Sequence, residues 1–365
     1  MDPVKILKRA WHILWSYRAL WVFGLILALA AGGSSGGSGN SGTRFSGDSQ
    51  DSYQPESLPD ALRYLSEEME KLFDQGSQQL EFSSGDMTTV LVLGGIFVLG
   101  MLIFGLVVTV ARYVSETAVI RMVDEYENTE TKMTVREGFR IGWSRTSWRL
   151  FLINLIVNLP VILLALALIF AGLGVYFAVE GGNLTFTSFS VIAMIGVVFL
   201  LIFAVVILTV ALNLLRHFVW RVSALENLGV RESFSRGWAL VRENWKSVGL
   251  MWLVMLGLGI AWGIASIILF IVTIPVLIVT FIIAVIVVAV PALLLGGLFS
   301  LLLTGPLPWI LGAIFVLPLF FIIAFSPWVL VGSWQTVFTS TVWTLTYREI
   351  KAMPVEPAAE LPAEA

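Results

Sequence analysis

Cysteine is absent from the 365-residue chain, and histidine occurs only twice, at His12 and His217. Without cysteine the chain can have no disulfide, no thiolate chemistry, no Cys-ligated zinc and no lipid attached through a thiol. Neither histidine lies at a metal-ligand spacing from another histidine or a carboxylate. Charged residues are also scarce, at 13%, against about 25% in a soluble domain. The sequence has no P-loop and no carboxylate–histidine cluster of the kind a phosphodiesterase needs.

Long apolar runs take the place of the missing polar residues. Hydrophobic residues make up 58% of the sequence, and the mean hydropathy is +0.89. A helix needs about 20 apolar residues to cross a bilayer. We therefore predict an all-α, polytopic transmembrane helical bundle. The apolar runs cover residues 19–31, 87–111, 150–179, 189–215 and 248–303, followed by a helix predicted at about 309–347.

The distribution of lysine and arginine predicts an orientation. Residues 1–20 carry four, 112–149 seven and 216–246 six, whereas 32–87 carries three against ten acidic residues and 180–188 none. Basic connecting segments of membrane proteins remain in the cytoplasm. We therefore expect a protein of the cytoplasmic (plasma) membrane, with both termini in the cytoplasm.

Two polar segments lie outside the predicted spans. Segment 32–87 is acidic and rich in Gly and Ser, and we predict an extracytoplasmic loop with one amphipathic helix at 57–73. The tail at 352–365, rich in Pro, Ala and Glu, is predicted to be disordered in the cytoplasm. An alternative for residues 1–31 is a cleaved signal peptide ending near Ala30. A signal peptide is not expected to share a pattern with internal spans, and residues 1–31 do share one.

That pattern is a polar string, TVREGFRIGW at 134–143 and GVRESFSRGW at 229–238. Thr134 and Glu137 have the spacing of a capping box, which satisfies free amides at a helix start. A weaker third copy begins at residue 3, where Pro suits the first helical position.

Each copy of the string predicts a short helix with an aromatic stripe and basic flanks. Such a helix lies flat in the headgroup layer of a membrane, where tryptophan is enriched. The predicted interfacial anchors are Trp11, Phe139, Trp143, Phe234 and Trp238.

Three helical-hairpin repeats follow, at about 1–128, 129–226 and 227–350, within one transmembrane domain at 1–350. Each repeat has a surface helix, an outgoing span and a returning span that continues into a polar-flanked stretch, which makes about six principal spans. The third repeat is longer, with an apolar excess near 273–305 that contains Pro275 and Pro291. We predict a re-entrant or broken helical pair there, because backbone groups in hydrocarbon must be satisfied internally. A seventh span is the alternative, but it would place the C-terminus outside.

Polar residues inside a span are costly, so they are candidate contact sites. Asn154 and Asn158 lie one turn apart in the third run, and Asn213 lies near the end of the fourth. They could contact a ligand, although interhelical hydrogen bonding is the commoner use. Gly259 and Gly263 have the spacing of a helix-packing motif, within the chain or between chains.

Three segments resemble a known kind of bacterial protein: ILKRAWHILWSYRALWVFGLILAL at the start, RVSALENLGVRESFSRGWALVRENW in the middle and VWTLTYREIK near the end. They are similar to multi-pass membrane proteins grouped with the membrane domain of glycerophosphoryl diester phosphodiesterases. The resemblance implies a helical membrane module, sometimes fused to a catalytic domain, and it provides no catalytic residue.

We therefore expect a membrane protein without enzymatic activity, cofactor or bound metal that organises lipids or partner proteins. Its expected partners are membrane lipids and a membrane or peripheral protein, with a homo-oligomer open and nucleic acid not expected. One alternative is a permease for a small or lipidic molecule, using Asn154, Asn158 and a discontinuous helix at 273–305. The other is the membrane subunit of an enzyme whose catalytic domain is a separate chain.

Overall fold

The computed structural model describes residues 1–30, 84–180, 188–303 and 305–353. The helix predicted at 57–73 and most of the tail predicted at 352–365 lie outside these ranges. Regular secondary structure within the described ranges is entirely helical, which confirms the predicted all-α class. The described residues form ten helices: α1 (Pro3–Ser16), α2 (Ala19–Ala30), α3 (Ser84–Thr129), α4 (Val135–Gly142), α5 (Arg145–Glu180), α6 (Ser188–Glu226), α7 (Val230–Glu243), α8 (Trp245–Phe299), α9 (Leu307–Ala324) and α10 (Ser326–Ala352).

Five of these helices, α3, α5, α6, α8 and α9, contain a segment long and apolar enough to cross a membrane. Helices α1 and α2 pass the same test only together, as a pair bent by 99°. The described chain therefore has five candidate spans, or six if the bent pair is one span, as a multi-pass membrane protein requires.

Local sequence signals define the helix ends. The Asp2 carboxylate accepts hydrogen bonds from the amides of Val4 and Lys5 at the start of α1. At α4 the predicted capping box is confirmed, with both the Thr134 amide and the Glu137 amide bonded to the other residue's side chain. Helices α3 and α6 are followed by Glu130 and Asn227, whose φ angles of 56° and 55° are left-handed and stop a helix.

The chain separates into two compact units, and the larger one contains α1, α2, α4 to α7, α10, the end of α3 and the first part of α8. At its centre the last turns of α3, α6 and α10 pack together, with α1 and α2 against them. Fully buried core side chains come from each of these elements: Ile13, Phe23, Val119, Met122, Phe218, Val222, Val337 and Val342. The polar-flanked stretches that follow the returning spans are therefore the interior of this unit.

The smaller unit contains residues 84–105 of α3, the end of α8, and α9. The end of α8 and α9 form an antiparallel pair, in which a Cβ atom at Gly312 would lie 2.8 Å from the carbonyl oxygen of Ala292. At the other end of the pair, the rings of Phe281 and Phe320 are 5.1 Å apart. Because glycine has no side chain, the two backbones approach closely near residues 296 and 312.

The apolar excess of the third predicted repeat contributes to this helical pair, and the break lies near the C-terminal end of the excess. Helix α8 continues through Pro275 and Pro291 to Phe299, and turns follow at 300–302 and 305–306. The helix predicted at about 309–347 is likewise two helices, α9 and α10. Pro327 lies in the first turn of α10, where its missing amide costs nothing, so a new helix begins there.

Candidate functional site

The candidate site is the polar end of the larger unit, where each short basic helix crosses the end of a long one. Helix α1 packs on α10, with the rings of Trp15 and Trp334 5.5 Å apart. Helix α4 packs on α3, since a Cβ atom at Gly142 would lie 2.5 Å from the carbonyl oxygen of Val114. Helix α7 packs on α6, where a Cβ at Gly237 would lie 2.8 Å from the Val219 side chain. Gly142 and Gly237, which precede Trp143 and Trp238, are thus the points where α4 and α7 approach the long helices closely.

The tryptophans that follow these contacts point away from the core. Trp11, Trp143 and Trp238 are 55%, 70% and 58% exposed. The two phenylalanines are less exposed: Phe139 is 36% exposed and its ring lies 5.0 Å from that of the buried Phe23, and Phe234 is half-buried. The three indoles are thus available to a membrane surface, while the phenylalanines also hold the short helices in place. Their depth in a bilayer stays a prediction.

Beneath the short helices lies a buried ion pair between Arg221 of α6 and Glu116 of α3. Arg221 is 1% exposed, and its Nη2 lies 3.9 Å from Glu116 Oε1. Ser340 of α10 joins them, donating to Glu116 Oε1 at 2.9 Å and accepting from Arg221 through its carbonyl oxygen at 3.1 Å. Arg221 also donates to the carbonyl oxygen of His217, whose ring stacks on Trp343. This network joins α3, α6 and α10.

The sequence did not predict this network, because Glu116 and Arg221 lie beyond the apolar runs and Ser340 is 224 positions from Glu116. Further ion pairs hold the outer turns: Arg9 with Glu127, Lys351 with Glu226, and Arg348 with Asp124. Tyr347 also donates to Glu226 Oε1 at 2.7 Å. The polar groups at this end of the unit therefore pair largely with one another.

The asparagines singled out from the sequence lie on α5 and α6, and all three are half-buried. Asn154 Oδ1 accepts a hydrogen bond from Arg216 Nη1 at 3.0 Å, and the Arg216 guanidinium lies over the Trp220 ring. Within the described ranges Asn158 and Asn213 make no side-chain hydrogen bond of this kind. The structure therefore joins Asn154 to Arg216 in an interhelical contact between α5 and α6.

The predicted packing glycines have no close neighbour within the described chain. A Cβ atom at Gly259 or Gly263 would meet no atom within 4 Å. The described part of the chain shows no close packing at these two positions, and packing of Gly259 and Gly263 stays a prediction. The close approaches are instead at Gly24, Gly138, Gly142, Gly237, Gly296 and Gly312.

In the part of the chain that the structure describes, no three His, Cys, Asp or Glu residues lie close enough to hold a metal ion. This end of the unit carries exposed arginine and tryptophan side chains, which suit an anionic or amphipathic ligand.

One protein family matches the chain. A family model described as a family of unknown function, DUF7544, matches residues 7–342. The chain belongs to DUF7544. The match covers the described helices except the first turn of α1 and the last turns of α10. One family model therefore includes both the short basic helices and the candidate spans of this DUF7544 chain. No curated protein and no solved structure matches it.

Proposed function

We propose that this DUF7544 protein is a membrane module without chemistry of its own, which organises lipids or a partner protein at a bacterial cytoplasmic membrane. The observation that carries the proposal is the exposure of one tryptophan at the crossing point of each short basic helix. An exposed indole next to arginines suits the headgroup layer, where its ring is in an apolar medium and its N–H finds a partner.

The proposal includes three helical-hairpin repeats arranged in a ring. Each short helix packs on the end of the long helix that precedes it in the chain: α4 on α3, and α7 on α6. The first short helix, α1, packs on the last long helix, α10, as ring closure requires. The basic ends of all repeats then face the cytoplasm together, with both termini there.

Internal pairing supports a structural use of most polar groups. Glu116, Arg221 and Ser340 bind one another, and Asn154 is occupied by Arg216. The permease hypothesis, which uses Asn154 as a ligand contact, gains nothing from that geometry. The resemblance to the membrane domain of glycerophosphoryl diester phosphodiesterases agrees with a module that works beside a catalytic chain, and a membrane subunit is therefore the second candidate.

The test is the bilayer depth of the exposed tryptophan positions. Because the chain has no cysteine, single variants Trp143→Cys and Trp238→Cys can each carry one nitroxide label. Depth is then measured by electron paramagnetic resonance in nanodiscs, from the relative accessibility to oxygen and to a water-soluble relaxation agent. We expect both labels at headgroup depth.

Two further labels calibrate the measurement. Ile264→Cys lies on an exposed apolar face of α8 and is expected in the hydrocarbon, and Arg136→Cys on α4 is expected in water. If the labels at 143 and 238 are as accessible to the water-soluble agent as the label at 136, the short helices are not in the headgroup layer and the proposal fails. Purification of a second chain in a fixed ratio would favour the membrane-subunit function.

A further inference from the structure

Arg121, near the end of α3, is half-buried and surrounded by neutral acceptors. Its Nε donates to the carbonyl oxygen of Ala224 at 3.0 Å, and its Nη1 to that of Ile141 at 3.2 Å. Its Nη2 donates to Thr146 Oγ1 at 2.9 Å and to Asn227 Oδ1 at 2.6 Å. These bonds hold the guanidinium in place without neutralising its charge.

A second arginine, Arg149 of α5, binds the same turn. Its Nη1 donates to the carbonyl oxygens of Asn227 at 2.7 Å and Leu228 at 3.0 Å. Its Nε and Nη2 groups have no hydrogen-bond partner among the described residues, and the side chain is half-buried. Asn227 has a left-handed φ of 55°, which asparagine tolerates better than most residues. Two guanidinium groups therefore converge on one residue.

This pair differs from three other arginines at the same end of the unit. Arg9, Arg221 and Arg348 each have a carboxylate within ion-pair distance. For Arg121 and Arg149 no carboxylate oxygen of the described chain lies within that distance. Two like charges held together and partly withdrawn from water are unfavourable unless an anion compensates them.

We propose that Arg121 and Arg149 form a binding site for a phosphate group, which in a membrane is the headgroup phosphate of an anionic phospholipid. A guanidinium fork matches phosphate oxygens with two parallel N–H bonds, and Arg149 has Nε and Nη2 free for this. Trp148 precedes Arg149 in the chain, is exposed and is stacked on Phe151 with ring centroids 5.0 Å apart, and its indole suits an acyl chain or glycerol backbone. The inference rests on the proposed function, since it names the lipid group that the module holds.

The experiment is native mass spectrometry of the full chain in a mild detergent, titrated separately with phosphatidylglycerol and phosphatidylcholine. The wild type is expected to retain phosphatidylglycerol in preference. Arg149→Gln is expected to weaken phosphatidylglycerol binding by at least about tenfold, because it removes both N–H groups of the fork, and to leave phosphatidylcholine binding unchanged. Arg242→Gln, which removes one exposed charge from α7, is the matched control and is expected to change neither.

Inorganic phosphate distinguishes the two sources of the group. If it displaces phosphatidylglycerol from the wild type but not from Arg149→Gln, the site binds phosphate from either source. Equal retention of both lipids by the wild type without phosphate binding, or equal losses in Arg149→Gln and Arg242→Gln, would overturn the site.

A third variant guards against a folding defect. Arg149→Lys keeps the charge without the fork and is expected to bind phosphatidylglycerol more weakly than the wild type but better than Arg149→Gln. The label depths at 143 and 238 are independent of this titration. If the labels lie at headgroup depth while the lipid preference is absent, only the phosphate site fails and the membrane module stands.

Discussion

Replacing Gly142 by alanine tests the closest crossing of a short helix over a long one. In the structure a Cβ atom there would lie 2.5 Å from the carbonyl oxygen of Val114 and 3.0 Å from the Ala118 Cβ. An ordinary carbon–oxygen contact is about 3.3 Å or more. The carbonyl oxygen belongs to the backbone of α3, so it cannot rotate away as a flexible side chain would.

The two energetic terms oppose each other, and the steric one is larger. Overpacking by one carbon in a close-packed interior typically costs about 1–3 kcal/mol. Alanine is a better helix former than glycine by about 1 kcal/mol in a helix interior, but Gly142 is the last residue of α4, where that gain is smaller. We therefore expect Gly142→Ala to lower the free energy of unfolding by about 1–2 kcal/mol.

The assay is equilibrium unfolding by sodium dodecyl sulfate in mixed micelles, followed by tryptophan fluorescence. Gly259→Ala is the matched control, because a Cβ atom there meets no atom within 4 Å. It is expected to leave the stability unchanged or raise it by up to about 1 kcal/mol. If Gly142→Ala is as stable as Gly259→Ala, helices α3 and α4 do not approach as closely as the structure has them and the argument is refuted.

Three further predictions concern the polar end of the larger unit. Glu116→Gln leaves the Arg221 charge buried and unpaired, and it is expected to lower the free energy of unfolding by about 3–5 kcal/mol. The double variant with Arg221→Gln is expected to lose less stability than the sum of the two single losses. Thermal unfolding of the wild type, the two single variants and the double variant checks this, and additive losses would contradict it. Hydrogen bonds from the Thr134 amide and hydroxyl lower the pKa of the Glu137 carboxyl below its ordinary 4.5. The stability advantage of wild type over Glu137→Gln is therefore full above pH 4.5 and lost as the pH falls through the lower folded pKa; a difference that is constant from pH 7 to 3 would be evidence against the cap. Tyr347→Phe removes the donor to Glu226 and is expected to cost about 1.5–3 kcal/mol with helix content retained by circular dichroism, so an unchanged Tm would argue against this bond.

Features with a local cause could be predicted from the sequence. Apolar runs of bilayer length predict helices whatever their neighbours are, and the Asp2 and Thr134 caps follow from hydrogen bonds within one turn. The exposure of Trp143 and Trp238 agrees with a repeated polar string. Each of these signals lies within one continuous stretch of the chain, which is why a single sequence contains it.

Features that depend on residues far apart in the chain could not be predicted from the sequence. Arg121 binds Asn227, 106 positions away, and Ser340 binds Glu116, 224 positions away, so neither contact has a local signature. The spacing of Gly259 and Gly263 matches a packing motif, yet the close approaches in the described chain are at Gly142 and other glycines. A glycine allows close packing only where another helix lies against it, and the spacing alone does not show where that is. The two prolines within α8 did not predict its end, since helices in a membrane protein tolerate proline.

The packing of α1 and α2 on α10 constrains the order in which the molecule can be completed. A Cβ atom at Gly24 would lie 2.7 Å from the carbonyl oxygen of Ser333, and the Asp2 amide bonds to Glu349, 347 positions along the chain. During synthesis the N-terminal helices are made long before the helix that covers them, and contacts of such high sequence separation form slowly. The face of α2 around Gly24 therefore stays bare until the ribosome has released α10. Until then an unfinished chain differs from a finished one by a surface that chaperones and proteases can recognise.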